Sequence, residues 1–101
     1  MVYESIDRES CTAASAAATA LTASKIQRTD GKTVKYAQIQ ILTYAAAFTV
    51  DGTTPSSTVG VQFSAFEMFE VWGDHDLLNL KDIRIGGNNC TYDVTYYGTV
   101  S

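Results

Sequence analysis

Thr33 to Thr43 changes side-chain character with a period of two, and no other stretch constrains the fold as tightly. Ala37, Ile39, Ile41 and Thr43 fall on one face, and Gln38, Gln40, Leu42 and Tyr44 on the other. A helix would scatter both sets around its axis, so the stretch reads as a strand with two different surroundings. The pattern alone leaves either face free to meet the core. The strand opens a longer unit of two β-type runs, Tyr36 to Val50 and Val61 to Gly73. Between them stands Asp51-Gly52-Thr53-Thr54-Pro55-Ser56-Ser57. This is turn chemistry: Gly enters φ > 0 freely and Pro fixes its own φ. Tyr44-Ala45-Ala46-Ala47 supplies small side chains suited to a bend inside the first run.

The flanking sequence extends the same theme. Residues 1–10 are polar and charged and read as an N-terminal arm that orders only by docking. Ser10 to Ala23 is rich in Ala, Ser and Thr, with Leu21 as its one large apolar residue. Ala favours helix, whereas Thr12, Thr19 and Thr22 are β-branched, and a helix here would have no apolar stripe to bury. Ala18 to Ile26 is therefore expected as an edge strand, with a short helix at Ala13 to Ala18 as the alternative. Thr29-Asp30-Gly31-Lys32 marks a turn. Val59 to Phe63 and Ala65 to Trp72 read as strands, the second interrupted by a bulge near Met68. Gly73-Asp74-His75-Asp76 reads as a turn, and Leu77, Leu78 and Leu80 lead into a strand around Ile83 and Ile85. Gly86-Gly87-Asn88-Asn89 reads as a hairpin turn before a last strand. There Tyr92, Val94 and Tyr96 share one face, and Thr91, Asp93, Thr95 and Tyr97 the other. The expected fold is all-β: an antiparallel β-sandwich or jelly roll of about seven or eight short strands over residues 11–101.

Composition agrees with one small domain and narrows its partners. A chain of 101 residues buries roughly 60–70% of the surface it would expose unfolded. Six Tyr, four Phe and one Trp suit half-buried pleated surfaces. Seven Lys and Arg against eleven Asp and Glu leave a net charge of −4 with no basic cluster, which argues against nucleic acid as a partner. No apolar run approaches the ~20 residues of a membrane-spanning helix, and the first residues lack a signal-peptide core. The expectation is a protein made in the cytoplasm. Cys11 and Cys90 are then two free, part-buried thiols by default, with a disulfide as the alternative.

No residue group forms a catalytic signature, so the expectation is a protein that is not an enzyme and carries no cofactor or metal. Asp74-His75-Asp76 holds the only histidine, but neighbouring strand residues diverge, and a solvated turn explains the triplet. Asp30, Asp51 and Asp93 lack the ligand spacing of a calcium loop. Gly86-Gly87 lacks the strand-to-helix setting of a phosphate loop. Two cysteines and one histidine without close spacing make no zinc site. The aromatic set Tyr36, Tyr44, Phe66, Trp72, Tyr96 and Tyr97 divides between core packing and a wet interface or sugar-stacking surface.

Several of these segments together carry a family likeness. Asp51-Gly52-Thr53-x-Pro55, Val59-Gly60, Glu70-Val71-Trp72-Gly73, Leu80-Lys81-Asp82-Ile83-Arg84-Ile85 and Val94-Thr95-Tyr96-Tyr97 run through the last two-thirds of the chain. The pattern resembles small β-sandwich structural proteins of tailed bacteriophage heads, including capsid decoration (cement) proteins. The resemblance implies a virion protein on the capsid surface that bridges subunits of the major capsid protein as a homo-oligomer, a trimer. It implies that the N-terminal arm reaches a neighbouring subunit. Tyr3, Ile6, Tyr44, Trp72 and Tyr97 are the interface residues expected on that basis. The alternative expectation is a glycan- or receptor-binding module of a phage head or tail fibre. The resemblance transfers no catalytic residue.

Overall fold

The computed structural model describes residues 2–100. Eight strands occur in the order β1 (Glu4–Ala13), β2 (Ala18–Thr19), β3 (Thr33–Thr43), β4 (Ala45–Thr49), β5 (Val61–Ser64), β6 (Met68–Trp72), β7 (Lys81–Ile85) and β8 (Cys90–Thr99). Two short helices, α1 (Ala23–Ile26) and α2 (Asp74–Asn79), interrupt them. The strands form two antiparallel four-stranded sheets, ordered β1-β8-β3-β6 and β2-β7-β4-β5. Successive strands change sheets at every step except β4 to β5. The result is a sandwich with the strand order of an eight-stranded jelly roll. It is elongated, 43 × 24 × 19 Å, because β1, β3 and β8 run for ten or eleven residues rather than the short lengths expected.

Side-chain alternation selects the inner faces. In β8, every second residue from Cys90 to Gly98 is buried, so Tyr92, Val94 and Tyr96 enter the core as the sequence pattern predicts. In β3 the buried face is Ala37, Ile39 and Ile41, while Gln40 and Leu42 face out. Burying an aromatic side chain removes roughly 150–250 Å2 from water, at about 25 cal/mol per Å2. Tyr92 and Tyr96, both fully buried, are therefore principal contributors to the core. Thr43 leaves the Ile41 face because the β3–β8 register shifts between Ile41 and Thr43.

The bend expected at Tyr44 is a change of sheet. Tyr44 alone separates β3 from β4, in a left-handed conformation (φ 60). The Asp51 loop is the one hairpin within a sheet: Asp51 Oδ1 accepts the Thr53 N–H at 3.0 Å, Gly52 turns the chain at φ 85, and Pro55 is buried beneath it. Hydrogen bonds from Thr53 hold the Asp51 carboxyl below its ordinary range. Gly98 serves a different need. A Cβ there would lie 1.8 Å from the Thr33 carbonyl oxygen, so only glycine lets β8 approach β3 at that point.

Four expectations change. Residues 4–10 are no free arm: Glu4 to Ala13 is a single strand paired with β8 along its length. The boundary placed between residues 10 and 11 thus falls inside β1. The docking partner is the chain's own last strand, because that strand would otherwise be an open edge. The Ala18–Ile26 strand shrinks to Ala18–Thr19, and the helix lies at Ala23–Ile26 instead of Ala13–Ala18. Ile26 supplies that helix with the buried contact that local sequence lacked. Gly73 to Asp76 is not a bare turn but the start of α2, which buries Leu77. The bulge expected near Met68 lies just before it: Phe66 N–H and Glu67 C=O both bond Ile41, two residues opposite one, with Phe66 left-handed (φ 69). Gly86 to Asn89 closes no hairpin, because β7 and β8 belong to different sheets. Cys11 and Cys90 are unpaired thiols.

Candidate interaction surfaces

Three of the five expected interface residues meet on the outer face of the longer sheet. The register places Tyr97, Tyr36 and Trp72 side by side on β8, β3 and β6. Their rings form a ladder: Tyr36 stacks on Trp72 at 4.2 Å and 15°, and on Tyr97 at 5.1 Å and 10°. Tyr3 meets both Tyr36 and Trp72 edge-on, with centroids 6.0 Å away in each case. The Trp72 Nε1–H donates to Glu70 Oε1 at 3.2 Å. Burial, followed by the nearby Glu70 carboxylate, raises the Tyr36 pKa. Rings stacked across neighbouring strands spend their faces on one another. Only the two end rings of the ladder, Trp72 and Tyr97, keep one face that is not stacked on another ring of it. Tyr36, the middle ring, stood in the aromatic set but not among the expected interface residues.

Tyr44 and Ile6 lie elsewhere. Ile6 sits at the β1 bulge between Ser5 and Asp7 and packs against the core. Tyr44, 56% exposed, stands at the β3–β4 corner. Phe66, 78% exposed, belongs to the same corner, where its N–H donates to the Ile41 carbonyl at 2.7 Å. A left-handed conformation costs a residue other than glycine roughly 1–2 kcal/mol. Two exposed aromatics are thus held in strained backbone at one corner of the sandwich.

That corner continues into an apolar flank. Among the described residues, every exposed large apolar side chain except Val2 and Val100 lies between Leu42 and Trp72. Between the free edges of β5 and β6 runs a groove of about 410 Å3, lined mainly by Phe48, Val59, Val61, Phe63, Phe69 and Val71. Phe63 and Phe69 stack at 4.0 Å and 7°. Charge is segregated in the same way. Residues 36–80 contain no Lys or Arg but hold Asp51, Glu67, Glu70, Asp74 and Asp76. The absence of cations over this run was a readable signal for the flank, and no motif search would have found it.

The opposite flank is polar and internally paired. Asp7 accepts from Arg28 Nη1 at 3.0 Å and Lys25 Nζ at 3.1 Å, and Arg28 also bonds Asp30. The Arg28 hydrogen bond leads in holding the Asp7 carboxyl down at about 2, and Arg28 does the same for Asp30. Glu9 accepts the Tyr96 O–H and, at 2.8 Å, the Thr22 O–H, tying β8 and the α1 approach to β1.

One polar cluster lies inside the sandwich. Tyr92 O–H donates to Asp82 Oδ2, while Asp82 Oδ1 is buried and accepts no hydrogen bond from the protein. Burial raises the Asp82 pKa above its ordinary value, and burial with the Asp82 charge raises Tyr92 as well. Burial pushes the nearby Cys11 thiol up to about 12 and Cys90 up to about 11. Thiols held protonated are poor nucleophiles. His75 bonds Asp76 at 3.1 Å on the exposed surface of α2. Among the described residues no three His, Cys, Asp or Glu side chains gather as a metal site would require. No protein-family model, curated protein or solved structure matches the chain.

Proposed function

We propose that the protein is a non-enzymatic structural protein that docks on a larger protein assembly through its apolar flank. The observation that carries this reading is the concentration of exposed apolar side chains between Leu42 and Trp72. Exposed apolar side chains gathered in one part of a fold are the kind of surface on which partners bind. Eight-stranded jelly rolls recur among viral capsid and lectin domains, although a fold alone does not decide a function. The likeness of the turn and strand-end segments to phage head proteins supplies the assembly: the capsid of a tailed bacteriophage. On this reading the protein is a decoration or cement protein on the capsid surface. It bridges major capsid subunits as a homotrimer. Apolar burial would contribute about 25 cal/mol per Å2 before association costs, and repeated contacts on the lattice add avidity.

The test is attachment. Purified protein should sediment with expanded capsids at a fixed ratio to coat protein and raise the capsid melting temperature. Capsids that melt identically with and without it would remove the capsid reading.

The glycan-binding alternative is favoured by one feature, Trp72, which is half exposed on the outermost strand. The stacked ladder counts against a broader sugar platform, because stacking on a sugar needs free ring faces. Glycan-array binding abolished by Trp72→Ala would establish this alternative.

A further inference from the structure

The free edge of β6 is equipped to accept another strand. Ile41 N–H donates to the Glu67 carbonyl and Gly73 N–H to the Lys35 carbonyl, so these are hydrogen-bonded pairs of the β3–β6 ladder. Such pairs alternate along an antiparallel ladder. Phe69 and Val71 therefore turn their backbone groups toward β3, while Met68, Glu70 and Trp72 turn theirs outward. Nothing in the described chain pairs with that outward row. From Met68 to Trp72, β6 also lacks the usual defences of an edge: it has no Pro and no Lys, its pairing with β3 is regular, and the Phe66–Glu67 bulge lies before it. Directly beside it lies the apolar groove.

Charge decides what would fill this place. The only charged side chain on β6 is Glu70, and its carboxylate is engaged by an indole N–H rather than a cation. Asp51 and Glu70 lie along the groove, with no Lys or Arg anywhere in residues 36–80. The nearest cation along the sheet, Lys35, lies beyond the strand end, level with Gly73. A second copy of the chain would bring another −4 of net charge to an acidic edge. With β6 paired to β6 about Glu70, it would set two like charges directly opposite, which is unfavourable.

We propose that β6 binds an extended segment of a partner protein by strand addition, the segment alternating cationic and apolar side chains. This deepens the docking reading above and rests on it. The partner's main chain bonds the outward N–H and C=O groups of Met68, Glu70 and Trp72. Residues opposite Phe69 and Val71 point inward to the groove, where apolar side chains fit. Residues opposite Glu70 point outward, where Lys or Arg neutralises its carboxylate. Main-chain bonds supply attachment and alternate side chains supply selectivity.

The test uses the full chain and a labelled heptapeptide alternating lysine and valine, with a glutamate–valine heptapeptide as control. The lysine peptide should shift the fluorescence of the single Trp, bind at least tenfold tighter than the control, and weaken with salt. Amide exchange at Glu70 and Trp72 should slow at least tenfold on binding, while Phe69 and Val71, already bonded to β3, change little. Glu70→Lys, an exposed substitution, should reverse the peptide preference. Binding without this alternate-residue protection would overturn the proposal in favour of an apolar ligand in the groove. Dimerisation that protects the same amides without peptide would assign the edge to a second copy and equally overturn it. If capsids take up the protein but the lysine peptide does not bind, the strand-addition proposal alone falls. If the peptide binds as described and capsids ignore the protein, only the capsid reading falls.

Discussion

The longer sheet has two outer strands, β1 and β6, and they are finished in opposite ways. β1 carries a bulge between Ser5 and Asp7 and the charged residues Asp7, Arg8 and Glu9, which bond across to Lys25, Arg28, Asp93, Thr22 and Tyr96. β6 has a regular backbone, two exposed apolar side chains and one carboxylate. Bulges and charges are what proteins use to stop strands from adding to an edge. One edge is closed by the chain's own polar groups, and the other is left fit for a visitor. The difference also implies different cohesion: ring contacts hold the β6 side, whereas hydrogen bonds and ion pairs hold the β1 side.

Phe69→Ala should break the β6 side most severely. It removes the ring stacked on Phe63 at 4.0 Å and tilted against Phe48 at 5.0 Å. A loss of about 3 kcal/mol in denaturant unfolding is expected, with fast amide exchange in β6 and little salt dependence. A loss well below that would mean the rings do not hold this side together. Tyr96→Phe should act on the β1 side by deleting the O–H that Glu9 accepts. The expected loss is about 1–2 kcal/mol, with faster exchange in β1 and none in β6. Equal loosening of both edges would contradict their separate cohesion.

The smallest effects concern pH, and the two sides respond with opposite sign to the interior. Asp7 and Asp30 have folded pKa values of about 2 against an ordinary 3.8. Their contribution is present above 3.8 and lost as pH falls through about 2. Asp82 runs the other way: its folded pKa lies above 3.8, so its protonation adds stability as pH drops toward 3.8. Unfolding followed from neutral pH downward should show the wild type gaining on mild acidification and losing below 3.8. Asp82→Asn should abolish the gain but keep the loss. Asp7→Asn should cost below about 1 kcal/mol at low ionic strength and less in high salt.

Much of the fold was legible in the residues because strand alternation is a local property. The β3 and β8 faces, the Asp51 turn and the bend at Tyr44 all follow from side-chain spacing and turn chemistry. The misread parts depended on distant partners. α1 forms because Ile26 reaches the core, and Gly86 to Asn89 looks like a hairpin turn although it spans two sheets. The expected interface was legible only in part. Tyr3, Trp72 and Tyr97 come together through Tyr36, while Tyr44 lies at another corner and Ile6 packs inward.

By itself, then, the sequence determined that this protein is an all-β domain, because a period of two and Asp-Gly and Gly-Gly punctuation permit little else. Tertiary structure alone decided that residues 4–10 form a strand and that β6 stands open. An edge exists only once strands have neighbours, and backbone hydrogen-bond groups carry no signature in the side-chain pattern.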